Sequence, residues 1–265
     1  MWGASAGTWP QSVTPNPAAG TGADRKNAEG MAVAAPAEGA PYIVIGFVGG
    51  YVRHDNAVHS VVQVANRLKK EYGPEVVVRV YENHRREAAH AAILELVSGQ
   101  LGAAPTETQK AAARIILYGH SWGASEAVTL ARELARDGIP VMLTIQVDSV
   151  RKRGEEDGII PANVAAAANF YQSDGLLHGR AQIRAAEPER TKILENKHFG
   201  YKAHPLACKG YPWYDRVFMK AHTEIECDPA VWDQVEALIR ARLPAKPDVA
   251  PAGGAQKTRF PGARE

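Results

Sequence analysis

Several unbroken runs of apolar, largely β-branched residues divide the middle of this chain. They show little alternation between apolar and polar positions, which is typical of strands buried on both faces of a sheet. The runs are YIVIGFV (42–48), VVVRVY (76–81), RIILYG (114–119) and VMLTIQV (141–147), and ANFYQ (168–172) is a candidate fifth strand. Because a sheet buried on both faces needs a layer on each side, this feature restricts the chain to layered folds.

Segments with helical periodicity lie between the predicted strands. Apolar residues recur at helical spacing over 61–72, 85–98 and 124–137, and a glycine follows each segment. A last helix is predicted to begin after Asp228 as N-cap, with Pro229 in its first turn. The alternation predicts an α/β fold, a three-layer α/β/α arrangement of a mostly parallel sheet with helices on both faces. Ligands of such sheets bind at the carboxyl ends of the strands.

The two ends of the chain differ in composition from its middle. Residues 1–40 and 244–265 are rich in Ala, Gly and Pro, so we expect disordered tails around an α/β domain over 41–243. Within the domain, residues 175–220 have no clear periodicity and many aromatic residues. We interpret this segment as a lid or pocket-shaping insertion, with a surface segment along the sheet edge as the alternative.

Overall charge excludes some classes of partner. The 265 residues carry a net charge of +2, and no apolar stretch reaches the length of a membrane span. We therefore predict neither nucleic-acid binding nor an integral membrane segment. No glycine-rich nucleotide motif occurs, and the histidine spacings match no known metal-ligand pattern, so we predict no cofactor and no metal.

The third predicted strand ends in Gly119-His120-Ser121-Trp122-Gly123, which fits the pattern G-x-S-x-G. A buried strand precedes it and an amphipathic helix follows it, which is the strand–turn–helix setting of a nucleophilic serine. Ser121 is therefore the candidate nucleophile, and the N–H of Trp122 at the helix N-terminus is a candidate oxyanion donor. The alternative is a glycine-rich loop with an incidental serine. At the end of the first predicted strand, Gly46 permits a tight exit, so the N–H of Phe47 is the candidate second donor and that of Val48 the next, with a simple turn as the alternative.

These residues resemble the α/β-hydrolase superfamily. YGHSWG looks like its nucleophile elbow, and VIGFVGG is similar to the H-G-F-x-G loop of its lipase and esterase branches, although Ile45 stands where those branches often carry histidine. The resemblance covers about 42–243 and implies a catalytic triad in the order serine, acid, histidine. Some branches, including thioesterases and lipases, place the acid directly after the fourth strand.

Asp148 is the predicted acid of this triad. It follows the fourth predicted strand directly, and a carboxylate there is carried to the same edge of the sheet as Ser121. Asp174, after the fifth strand, is the alternative acid, although its neighbour Gly175 favours a turn.

His222 is the predicted base, in a loop just before the last helix, where the superfamily usually carries its histidine. The other late histidines remain alternatives, and these are His178, His198 and His204.

The resemblance predicts a serine hydrolase that cleaves a small-molecule ester, thioester or other acyl substrate through an acyl-serine intermediate. Ser121 attacks, His222 acts as base and then as acid, and Asp148 orients His222. An acyltransferase with the same triad and a non-catalytic binding protein of the same fold are the alternatives.

The two cysteines, Cys208 and Cys227, bear on the compartment. We expect two free thiols, with a disulfide as the alternative, because the residues flank one late segment. The first residues lack a signal-peptide pattern, so we expect a cytoplasmic protein. The expectation changes to an extracytoplasmic protein if the cysteines pair or if the true start differs, for example at Met31.

Overall fold

The computed structural model describes residues 40–245. The expected tails, 1–40 and 244–265, lie outside the described residues apart from Ala40, Pro244 and Ala245. The strands are β1 (Tyr42–Val48), β2 (Val76–Glu82), β3 (Arg114–His120), β4 (Leu143–Val147), β5 (Ile159–Ile160), β6 (Ala166–Gln172), β7 (Arg184–Ala185) and β8 (Lys192–Phe199). The helices are α1 (Ser60–Glu71), α2 (Arg86–Ser98), α3 (Glu107–Ala111), α4 (Trp122–Arg136), α5 (Trp213–Phe218), α6 (Lys220–Cys227) and α7 (Pro229–Arg240).

Six of the strands form one parallel sheet in the order β2-β1-β3-β4-β6-β8. Strands β5 and β7 form a separate parallel pair. The predicted α/β fold is confirmed, because helices cover both faces of this sheet.

The two faces are visible in β1, whose side chains alternate between two cores. Val44 and Val48 pack in one cluster with residues of α1 and α7. Ile43, Ile45 and Phe47 pack in the other cluster with residues of α2 and α4. Because neither face meets water, the strand needs apolar residues at every position, which explains the unbroken run in the sequence.

Strand order reverses between β1 and β3. The chain passes from β1 outward to β2 and then returns to β3 on the other side of β1. The loops after β1 and β3 therefore leave the sheet in opposite directions and open a crevice at their carboxyl ends. This is where the G-x-S-x-G segment lies.

Part of the segment that we expected to be irregular is regular. Residues 192–199 form β8, which pairs in parallel with β6 and completes the sheet at its edge. Its sequence, KILENKHF, is half-exposed and mostly polar, so it lacks the apolar run that marks the inner strands. The short helices α3, α5 and α6 were also absent from the prediction. Strand β4 begins at Leu143, two residues after its predicted start.

Cys208 and Cys227 form a disulfide, so the expectation of two free thiols was wrong. The bond joins the end of α6 to the loop that precedes α5. Among residues 40–245, no helix combines the length and apolar character that crossing a bilayer requires.

We expect removal of the disulfide to lower the free energy of unfolding. The cysteines are 19 residues apart in sequence, and closing a loop of that size contributes about 3 kcal/mol through the unfolded chain. Chemical denaturation of Cys208→Ala/Cys227→Ala and of the wild type, each with and without reductant, measures this. Reductant should destabilise only the wild type, and equal stability of all four samples would contradict the prediction.

Candidate active site

Ser121 occupies a strained turn between β3 and α4. Its φ is 56° and its ψ is −126°, a backbone conformation that residues other than glycine rarely adopt. The surrounding backbone holds it there, because its N–H donates to the carbonyl of Val147 at 3.0 Å and its carbonyl accepts from Ala124 at 3.0 Å. The turn has the geometry expected of a nucleophile elbow.

The two glycines of the motif allow this turn to pack closely. A Cβ at Gly123 would lie 2.2 Å from the carbonyl oxygen of Phe47 in β1. A Cβ at Gly119 would lie 2.5 Å from the carbonyl carbon of Gly123. Glycine is therefore required at both positions so that α4 can start directly against the sheet.

Asp148 lies at the end of β4, as predicted, and is fully buried. Its Oδ2 is 2.6 Å from Nδ1 of His222 and accepts a hydrogen bond from Nε2 of Gln172 at 2.8 Å. Its Oδ1 accepts from the N–H of Gly179 at 2.6 Å. Burial raises the pKa of this carboxyl, but the hydrogen bonds and the nearby His222 outweigh burial and hold the pKa below its usual value. Asp148 is therefore an ionised partner for His222.

His222 lies in helix α6 and not in the loop that we predicted. Helix α6 is short and is directly followed by α7, so no break in the sequence pattern separates the two helices. His222 is 6% exposed, and with Nδ1 facing Asp148 its Nε2 is free of that contact. This is the arrangement of an acid-oriented general base.

Ser121 and His222 line one cavity of about 550 Å³. Its walls come from the loop after β1, the elbow, and the segment from Gly210 to Thr223. The part of this last segment up to residue 220 belongs to the region 175–220, for which we expected a lid or a pocket-shaping insertion.

The two predicted oxyanion donors lie in different places. Trp122 is the first residue of α4 and lines the cavity. Phe47 lies inside β1, paired with Tyr81 and Gly119, and its buried side chain faces α2 and α4. Phe47 does not line the cavity. The cavity is lined instead by the residues that follow β1, namely Gly49, Gly50 and Tyr51. A Cβ at Gly49 would lie 2.8 Å from Cβ of Ser121.

The alternative acid lies elsewhere. Oδ2 of Asp174 accepts the N–H groups of Tyr201 at 2.5 Å and Lys202 at 3.2 Å, which lowers the pKa of Asp174. These bonds give Asp174 the turn-stabilising role that Gly175 indicated.

The alternative histidines have other partners than Asp148. His198 Nε2 is 2.8 Å from the Ser173 hydroxyl in an exposed pair, and His204 is exposed. His178 Nδ1 is 3.3 Å from the carbonyl of its neighbour Gly179. None of the three lines the cavity.

A second buried carboxylate, Glu226, lies one helical turn after His222. Its oxygens are 3.2 Å from Nδ1 of His59 and 3.0 Å from Nδ1 of His120, and they accept the N–H of Ser60 at 3.1 Å. The ring of His120 lies 4.5 Å from that of His222. Burial lowers the pKa of His120 to about 4, against the opposing charge of Glu226, so this ring is neutral at pH 7.

Sequence reasoning missed Gln172, Gly179 and Glu226. Each is defined by a contact with a residue far away in the chain, and no local pattern marks it. Among the described residues, no group of three or more His, Cys, Asp or Glu side chains is placed to hold a metal ion.

We expect Gly123→Ala to destabilise the protein by roughly 3 kcal/mol or more, since the new methyl group meets the rigid backbone of β1 and overpacks it. Gly200→Ala is the matched control, because a Cβ there has its nearest neighbours at 3.7 Å, an ordinary contact. Thermal and chemical unfolding of both variants measure the difference. Comparable stability of the two variants would show that α4 can move away from β1.

We expect Glu226→Ala to lower the free energy of unfolding by about 3–5 kcal/mol at pH 7, because it leaves buried donors unpaired. Burial raises the pKa of Glu226, but His120, His59 and Ser60 outweigh burial and lower it. A carboxyl with a lowered folded-state pKa stabilises the fold above its unfolded pKa and loses this effect as pH falls through the folded pKa.

The difference between wild type and Glu226→Ala should therefore shrink in acid. Urea denaturation as a function of pH measures it, with the exposed Asp233→Ala in α7 as control. A difference that does not depend on pH would contradict a role for the charge.

No protein-family model and no curated protein matches the sequence. Solved structures do match it. The thioesterase RedJ of the prodiginine pathway in Streptomyces coelicolor shares 12% identity over 77% of this chain and 91% of its own, with a TM-score of 0.40.

Acetylxylan esterase shares 13% identity over 77% of this chain and 98% of its own, with a TM-score of 0.37. Human thioesterase 2 shares 11% identity over 76% and 94%, with a TM-score of 0.35. The six-stranded parallel sheet agrees with the fold that the α/β-hydrolase resemblance of the sequence implies.

Proposed function

We propose that this protein is a serine hydrolase that cleaves a carboxylic ester or thioester through an acyl-serine intermediate. One observation carries the proposal. Ser121, in a strained elbow, lines the same cavity as His222, whose Nδ1 faces a buried carboxylate at 2.6 Å. A strained serine beside a carboxylate-oriented histidine is the arrangement that activates a hydroxyl for attack on a carbonyl.

In the acylation step, the ionised Asp148 accepts a hydrogen bond from Nδ1–H of His222, which leaves Nε2 as the base. As Oγ of Ser121 bonds to the acyl carbon, its proton moves to Nε2. The carbon–oxygen or carbon–sulfur bond then breaks, and the leaving alcohol or thiol takes this proton from His222. Water repeats the sequence in deacylation, which releases the acid and restores Ser121.

For the oxyanion hole, we propose the N–H of Trp122 together with a backbone N–H from Gly50 or Tyr51. The first lies at the N-terminus of α4, where the helix dipole favours a developing negative charge. The second comes from the loop that lies against Ser121. These residues replace Phe47 in our proposal, since Phe47 is part of the sheet.

We also propose that the protein works in an oxidising compartment. The disulfide between Cys208 and Cys227 meets the condition under which the sequence analysis expected an extracytoplasmic protein. Disulfides persist in such compartments and are rare in the cytosol.

Labelling by a fluorophosphonate probe tests the proposal, because only an activated serine reacts with it. We expect the wild type to be labelled and Ser121→Ala to be unlabelled. Asp148→Asn and His222→Ala should react more slowly by about 100-fold or more, since each removes part of the unit that activates Ser121.

Ser173→Ala and Asp174→Asn are matched controls, since Ser173 belongs to an exposed serine–histidine pair and Asp174 is the alternative acid. Both should keep the wild-type labelling rate. A folded wild type that takes no label would reject the hydrolase and favour a binding protein. Transfer of the acyl group to an added alcohol in preference to water would identify an acyltransferase.

A further inference from the structure

We infer that the substrate carries an ammonium group on its leaving-group side and that the carboxylate of Asp215 binds this group. The substrate class would then be esters or thioesters of amino alcohols or aminothiols. This inference rests on the proposed function and adds the chemistry of the substrate to it.

The charge of the cavity is one-sided. Two carboxylates, Asp215 and Glu226, line it, and within residues 40–245 its lining contains neither lysine nor arginine. Glu226 already faces His59 and His120 at 3.2 and 3.0 Å. Asp215 is therefore the lining carboxylate that is left for a ligand.

The side chain of Asp215 makes no hydrogen bond or ion pair with any described residue. Burial raises the pKa of this carboxyl, while the nearby His59 and His222 act in the opposite direction. A partly desolvated carboxylate without a counter-ion is unfavourable, and a bound cation removes this cost. Anionic leaving groups would meet repulsion at the same place.

Asp215 is held close to the base. Its carbonyl accepts the hydroxyl of Thr223, which follows His222 in α6, at 3.0 Å, and the N–H of Met219 at 3.0 Å. The disulfide fixes the segment before α5 to the end of α6. Since His222 returns its proton to the leaving group in the proposed mechanism, we assign this carboxylate to the leaving-group side.

Aromatic rings complete the binding surface. Trp122, Tyr51, Tyr211 and Tyr214 all line the cavity, and the rings of Tyr51 and Trp122 meet edge to face at 6.0 Å. The faces of such rings attract organic cations. His120, also in the lining, is 6% exposed, and its buried Nε2 atom has no hydrogen-bond partner among the described residues.

Two isosteric thioesters of one acyl group test the inference, one with a 2-(dimethylammonio)ethyl and one with a 3-methylbutyl leaving group. The cationic thioester is intrinsically more reactive, so the readout is the ratio of the two kcat/KM values, compared between variants. We expect this ratio to fall by about tenfold in Asp215→Asn, the range of one ion pair or cation–π contact. Asp55→Asn is the control, because Asp55 is exposed, paired with Arg53 and absent from the cavity lining. It should keep the wild-type ratio.

Binding of N,N-dimethylhexylammonium to the Ser121→Ala protein gives a readout that needs no catalysis. Calorimetry should show about tenfold weaker binding when Asp215→Asn is added. If Asp215→Asn changed neither the kcat/KM ratio nor the binding, the inference would be wrong. Fluorophosphonate labelling of Ser121 in the same protein would still support the proposed hydrolase. Asp215-dependent binding by a protein whose Ser121 takes no label would keep the cation site and reject the hydrolase.

Discussion

The close approach of α4 to β1 is the constraint on which the candidate site depends. Gly123 lies directly against the carbonyl of Phe47, and helix α4 begins immediately after β3. The chain makes this sharp turn with Ser121 at a positive φ. Such a conformation costs free energy, of the order of 1–3 kcal/mol, which packing elsewhere must offset. The apolar clusters on both faces of the sheet supply that packing. The same turn points the N-terminus of α4 into the cavity, so one local geometry positions both the hydroxyl and the Trp122 N–H.

Two buried carboxylates lie near His222, and they face different imidazoles. Asp148 faces Nδ1 directly, and its own charge is stabilised by Gln172 and Gly179. Glu226 faces His120 and His59, and the ring of His120 lies 4.5 Å from that of His222. If His120 were charged, it would oppose the positive charge that His222 acquires in the proposed mechanism. The low pKa of His120 keeps it neutral, so a second imidazole can pack against His222 without this repulsion.

The sequence predicted those parts of the fold and site that have a local signal. The inner strands were found because burial on both faces requires apolar residues throughout. Ser121 was singled out because it lies between the two glycines that the close backbone approaches require, and its role as nucleophile stays a prediction. Strand β8 was missed since an edge strand with polar residues has no such run. The prediction of Phe47 as an oxyanion donor rested on its neighbour Gly46. Gly46 was interpreted as the exit from β1, but it lies within the strand, where a Cβ would meet the ring of Tyr118 at 2.7 Å. The predicted triad roles of Asp148 and His222 remain predictions that labelling must test.

Helix α6 shows why the remaining residues could not be predicted. It has only eight residues, too few to be stable alone, yet it carries His222, Thr223, Glu226 and Cys227. Each of these residues contacts a residue outside α6, namely Asp148, Asp215, Ser60 at the start of α1 and Cys208. These contacts hold the helix in place, and the helix in turn brings their partners to one cavity. The position of His222 is therefore a property of the tertiary structure, and a change at any of the four contacts should act on His222 through α6.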